Sequence, residues 1–212
     1  MQSARRLPIA TIAVVAFTGL VNGLQVVYPA LLNALDRQPG TLAAGEWWRV
    51  ATPLLVHHGG WRETAFNISG IALLGVFVER MFGRRRWLAV YFIPGVIGEA
   101  VGSAWRPHGA GASVGGAGLL GSLLASLCAK GRPALARIAG AIGLIAAAAL
   151  TLARDIHGPS VLAGAGLAAG LLLAQRDDRV DAGGPDGGPD ARLQSRREND
   201  RGHDAEGDGI ER

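Results

Sequence analysis

Apolar runs of 18 residues or more recur along this chain, and an α-helix needs about 20 such residues to cross a bilayer core roughly 30 Å thick. The chain therefore reads as an all-α integral membrane protein. Six transmembrane helices are expected, at about 8–31, 62–80, 87–105, 112–129, 134–153 and 155–174. Charged residues make up 18% of the 212, below the roughly 25% of a soluble domain. The first run, from Leu7 to about Leu35, follows Arg5 and Arg6 as a signal peptide would, but it is too long for one. Beyond Ala174 the composition changes abruptly to charges of both signs and Gly-Gly-Pro-Asp repeats, so residues 1–174 form the membrane domain and 175–212 a disordered polar tail.

Charge places the ends. Residues 1–174 hold 14 Lys/Arg against 6 Asp/Glu, while 175–212 hold 7 against 11. The basic excess lies in the membrane loops, and there is no nucleic-acid patch. The N-terminus and the turns at 80–86 and 130–137 hold nine Lys/Arg, and the opposite loops five, so both termini are expected in the cytoplasm. One lysine among 21 basic residues, with abundant Ala, Gly and Arg, suits a GC-rich bacterium and hence its inner membrane. The lone Cys128 has no metal-site spacing around it, and neither a metal nor a cofactor is expected.

The segment Gly109–Gly121 carries one hydroxyl, Ser113, among its glycines. Glycine weakens an isolated helix, so this density fits a membrane helix against which neighbours pack closely. Ser113 falls in the first turn, where free N–H groups can stabilise an oxyanion or simply be capped. Asn67 lies within the second helix and needs a partner or a ligand. His58 precedes that helix, and His157 opens the sixth. Glu99, deep in the third, pairs within the bundle, with Arg106 as its expected partner, or lines a wet cavity. Trp47, Trp48 and Arg49 suit an interfacial anchor, and Glu79 is expected near the headgroups beside an arginine.

In this topology helices two, four and six all start at the outer face, so Asn67, Ser113 and His157 share one depth. Serine and histidine make a nucleophile and general base even without an obvious acid, and an amide with helix N–H groups makes an oxyanion site.

These residues resemble the rhomboid intramembrane serine proteases over 45–174. Gly45-Glu46-Trp47-Trp48-Arg49 is similar to the family's first-loop motif. His58 and Asn67 match its histidine and asparagine, nine apart. Gly111-Ala112-Ser113 with Gly118-Leu119-Leu120-Gly121 matches its nucleophile segment, and His157 with Ser160 and Gly164 its last histidine. The resemblance implies a six-helix rhomboid-like bundle that cleaves transmembrane protein substrates within the lipid bilayer, near their outer ends. It implies Ser113 as nucleophile, His157 as base, and Asn67, His58 and Gly111 around the oxyanion. Two positions depart from the family pattern. Val114 replaces a glycine and would crowd Ser113. Glu63 replaces a histidine and is expected to reach outward to Arg62 or Arg49. A rhomboid-like protein without turnover that binds membrane clients, and a small transporter using Glu99, are the other readings. Many transporter folds are built from inverted repeats, and none is visible in this sequence.

Overall fold

The computed structural model of the protein describes residues 7–182, the side chains of 176–182 excepted. Among the described residues it is all-helical, apart from one antiparallel bridge between Arg37 and Gly109. The helices are α1 (Ile9–Val27), α2 (Ala30–Leu35), α3 (Gly60–Phe82), α4 (Arg84–Trp105), α5 (Ser113–Leu127), α6 (Ala134–Leu152) and α7 (His157–Ala182), with two 3-10 turns at Trp47–Val50 and Thr52–Leu55. The chain divides into two units at Leu172/Leu173, and the site described below lies in the first.

Five of the helices are long and apolar enough to cross a membrane: α1, α3, α4, α6 and α7. The fourth expected span, α5, has 15 residues, so it is only about 22 Å long at 1.5 Å per residue. It is also the most enclosed. Val114 to Leu119, Gly121, Ser122 and Ser126 are all buried. Where the first span was expected to run to residue 31, α1 stops at Val27. Pro29 disfavours helical backbone at Tyr28, which is non-helical at φ −124°, ψ 81°, and the chain restarts as α2. Helix α7 runs eight residues past the expected end of the membrane domain at 174, and the tail expected to be disordered otherwise lies outside the described residues.

The glycines of α5 do what their density foretells. A Cβ on Gly115 would meet the Tyr91 ring of α4 at 2.6 Å, and one on Gly118 would meet the Val90 carbonyl at 2.7 Å. On the other side a Cβ on Gly121 would strike the Val161 carbonyl of α7, and one on Gly164 the Gly118 carbonyl. Helix α5 is thus clasped backbone-to-backbone between α4 and α7. Val114 fits the same way. Its side chain fills the space left by Gly98 of α4 instead of crowding Ser113.

The polar groups expected in the bundle find other partners. Glu99 pairs not with Arg106 but with Arg37, whose guanidinium lies against Gly102 and Gly109 and also donates from Nε to the Arg106 carbonyl at 2.9 Å. Both side chains are buried. Arg37 also exchanges two backbone hydrogen bonds with Gly109, so the loop after α2 is pinned to the loop that leads into α5. Glu79 is buried as well. It accepts from the Ala10 and Thr11 amides and the Thr11 hydroxyl at 2.8–3.0 Å, capping α1, with Arg84 Nε at 3.9 Å.

Losing one partner of a buried ion pair costs about 3–5 kcal/mol, whereas replacing both with apolar groups is often neutral. Arg37→Leu is therefore expected to lower the thermal unfolding midpoint in detergent sharply. Adding Glu99→Leu should recover most of the loss. Additive losses in the double variant would mean that the pair is not one unit.

Candidate active site

Ser113 is the first residue of α5 and His157 the first of α7, and the clasp between the two helices sets them face to face. The Ser113 Oγ lies 3.0 Å from His157 Nε2. Both residues are half-buried, so the pair is held by packing yet reachable. Three contacts fix the seat of His157. Ser160 Oγ donates to the Val114 carbonyl at 2.6 Å, tying the first turns of α7 and α5 together. Gly158 lets the last turn of α6 press in, since a Cβ there would meet the Ala147 carbonyl at 2.7 Å. Asp155 Oδ1 accepts from the His157 amide at 2.9 Å and meets its Nδ1 at 2.7 Å.

Asp155 is the residue that sequence reasoning missed. Burial pushes its carboxyl up, but the hydrogen bonds from the His157 amide and ring, with His157 and Arg106 charge nearby, outweigh that and hold it below its ordinary value. It is ionised at neutral pH. The only hint in the sequence is an acid two residues before a histidine, and that spacing also marks an ordinary helix cap.

Asn67 is buried on α3 and makes no side-chain hydrogen bond with another described residue. Its level follows from its neighbours. Ile71, one turn further along α3, lies 3.4 Å from where a Cβ on Gly116 would sit. Glu63, one turn earlier, has Oε1 at 3.7 Å from the corresponding point on Gly111. Residues four apart share a helix face, so Asn67 faces α5 between Gly111 and Gly116, the level of Ser113. The Ser113 Oγ lies 3.1 Å from the same Gly111 point, so a side chain at Gly111 would close the gap between serine and Glu63.

Of the adjacent histidines, His57 and not His58 bonds to the start of α5. His57 is fully buried. Its Nε2 accepts the Ala112 amide at 3.3 Å, and its Nδ1 meets Asn22 Oδ1 of α1 at 2.9 Å. Burial lowers its pKa, the Glu63 charge pulling the other way, which suits a neutral ring with Nδ1 protonated. Gln25 also brackets the His57 backbone through both its amide atoms, at 2.6 and 3.3 Å. His58, expected beside the oxyanion, is half-exposed and pairs with Asp36 at 3.1 Å. Arg49 turns inward from the exposed Trp47 and Trp48 to bond the Asn33 and Asp36 carbonyls and the Asp36 and Glu46 carboxylates.

Glu63 does not reach outward. Helix α3 begins at Gly60, two residues earlier than expected, and the Gly59 amide donates to Glu63 Oε2 at 2.6 Å. Both expected partners are engaged elsewhere, Arg62 over the Trp61 ring at 5.5 Å and Arg49 in the loop. The carboxylate stays at the mouth of the site.

Residues 44–175 match the family model described as Rhomboid domain. The chain is 35% identical over 105 residues to the rhomboid protease GluP of Bacillus subtilis, covering 49% of this chain and 20% of that protein. It is 38% identical over 61 residues to the rhomboid protease AarA of Providencia stuartii, covering 29% and 21%. It is 31% identical over 99 residues to the RHOMBOID-like protein 5 of Arabidopsis thaliana, covering 47% and 31%. The matches span less than a third of the length of these curated relatives.

Proposed function

The chain belongs to the rhomboid family, and from that premise we propose that it is an intramembrane serine endopeptidase that cuts transmembrane segments of other proteins near their outer ends. The observation that carries the reading is the 3.0 Å contact between Ser113 Oγ and His157 Nε2. In the proposed cycle His157 takes the hydroxyl proton as Ser113 attacks the scissile carbonyl, then passes it to the leaving amine. Water, activated by the same ring, hydrolyses the ester left on Ser113. The Asn67 carboxamide and the free amides of the first turn of α5 face the developing oxyanion, with Gly111 leaving room for it. His57 supports this site from behind through Ala112, and His58 holds the neighbouring loop through Asp36. The short α5 supports a nucleophile recessed below the membrane surface yet open to water. The protein is a multi-pass membrane protein; its loop charges support cytoplasmic termini, and its Arg-rich, Lys-poor composition supports a bacterial inner membrane.

One observation favours a second reading, a rhomboid-like protein that binds membrane clients without turnover. The Glu63 carboxylate beside Gly111 opposes an oxyanion. Its Oε2 is already bound by the Gly59 amide, which draws part of that charge away from the serine and favours the active form.

The test is cleavage in proteoliposomes of single-span substrates, with the cut mapped by mass spectrometry. Cuts near the outer end that vanish in Ser113→Ala support the protease. Intact substrate with every span tried, together with stable client binding, supports the second reading. Asn67→Ala is expected to lower turnover by about 10²–10³-fold, the usual loss for one oxyanion donor. Unchanged turnover would remove Asn67 from the site.

A further inference from the structure

We propose that Asp155 is a positioning residue for this site. It holds the His157 ring with its proton on Nδ1, so that Nε2 is free to accept the Ser113 hydroxyl proton. The inference rests on the protease reading, and it adds an acid to a site that the sequence presents as serine and histidine alone.

A neutral imidazole has one donor and one acceptor nitrogen, and the hydrogen bond at one nitrogen decides the role of the other. Nδ1 of His157 lies 2.7 Å from Asp155 Oδ1. An ionised carboxylate only accepts, so the proton between them belongs on Nδ1. Nε2 then presents its lone pair to Ser113 Oγ at 3.0 Å. When His157 takes the serine proton the ring becomes a cation, and the same carboxylate stabilises it without itself being protonated.

A plain helix cap explains the contact of Asp155 with the His157 amide, but not the second contact of the same oxygen with the ring. The turn before α7 is an ordinary helix ending. Arg154 adopts φ 56°, its amide donates to the Thr151 carbonyl at 3.0 Å, and the Asp155 amide donates to the Leu150 carbonyl at 2.9 Å. That turn carries the chain from α6 into α7 in four residues and sets the carboxylate beneath His157. Arg106, from the end of α4, lies near Asp155 and donates to the Arg154 carbonyl at 3.3 Å. Ser113 is the polar group facing the ring from α5.

The experiment is nitrogen NMR of ¹⁵N-histidine-labelled protein in detergent, resonances assigned with His157→Gln, alongside labelling of Ser113 by a fluorophosphonate. Wild type is expected to show Nδ1 of His157 protonated and Nε2 bare. Asp155→Asn presents an amide that can donate to Nδ1 and so move the proton to Nε2. That reversal should slow Ser113 labelling by up to about 10⁴-fold, the loss that the same substitution causes in a serine protease triad. Asp155→Ser keeps a capping oxygen but removes the carboxylate. It should fold as wild type does and lose the single tautomer, which separates positioning from capping. If the His157 signals are unchanged in both variants, or if the proton moves and labelling does not slow, the assignment is overturned. A wild type that shows the Asp155-dependent tautomer but never reacts with the probe contradicts the protease reading and leaves the tautomer assignment upheld.

Discussion

Ser113→Ala and His157→Ala are each expected to lower substrate cleavage by about 10⁴-fold or more, and the double variant should be no worse than either single one. The non-additivity is the informative part. In the proposed mechanism the two side chains, 3.0 Å apart from Oγ to Nε2, act as one device, and removing either leaves the other with nothing to do. Two residues with separate roles would instead multiply their losses. Neither variant should unfold the protein, because both side chains are half-buried and the clasp that positions them is made by other residues. Cleavage measured beside thermal unfolding separates the two effects.

Gly164→Val is expected to cost at least about 10²-fold in cleavage although the atoms nearest a Cβ at 164 belong to Gly118 and not to Ser113 or His157. A Cβ at Gly164 would run into the Gly118 backbone, which cannot swing aside as a side chain can, so α5 and α7 must part. A misplacement of about 1 Å between reacting groups is enough for such a loss. Overpacking also costs about 1–3 kcal/mol of stability. The control lies on the same helix. Cβ atoms at Gly166 and Gly170 would meet nothing within 4 Å, so alanine there should leave cleavage intact and slightly favour the helix. Equal effects at 164 and 166 would show that helix propensity, not the clasp, governs activity.

The bundle was legible because apolar length and loop charge are properties of single segments. The clasp was legible in kind, since dense glycine in a membrane helix has few other uses, but not in its partners. Ser160 and Gly164 face α5, whereas Gly166 and Gly170 of the same helix have open space. Ser113 and His157 stood out because hydroxyl and imidazole groups are rare in such segments.

What stayed hidden depended on contacts across sequence or on one or two residues of loop geometry. The partner of Glu99 is 62 residues away in a loop, while the nearer Arg106 offers it no side-chain pair. The choice between His57 and His58 turns on how a short loop enters α3. The nine-residue spacing to Asn67 selects His58, but the polar residues of α1, Asn22 and Gln25, hold His57 inward. Glu63 faces the site because α3 starts two residues early and its amide end captures the carboxylate. Asp155 was read as part of a helix, and it stands just outside one, where its carboxylate can reach back to the ring.

Reaction of the purified protein with a fluorophosphonate, followed by peptide mapping, tests the central claim most directly. A serine activated by His157 should carry the adduct at Ser113 in wild type and none in His157→Ala, with Ser122, Ser126 and Ser160 unlabelled in both. Absence of the adduct from Ser113, or equal labelling of Ser113 without His157, would contradict the account.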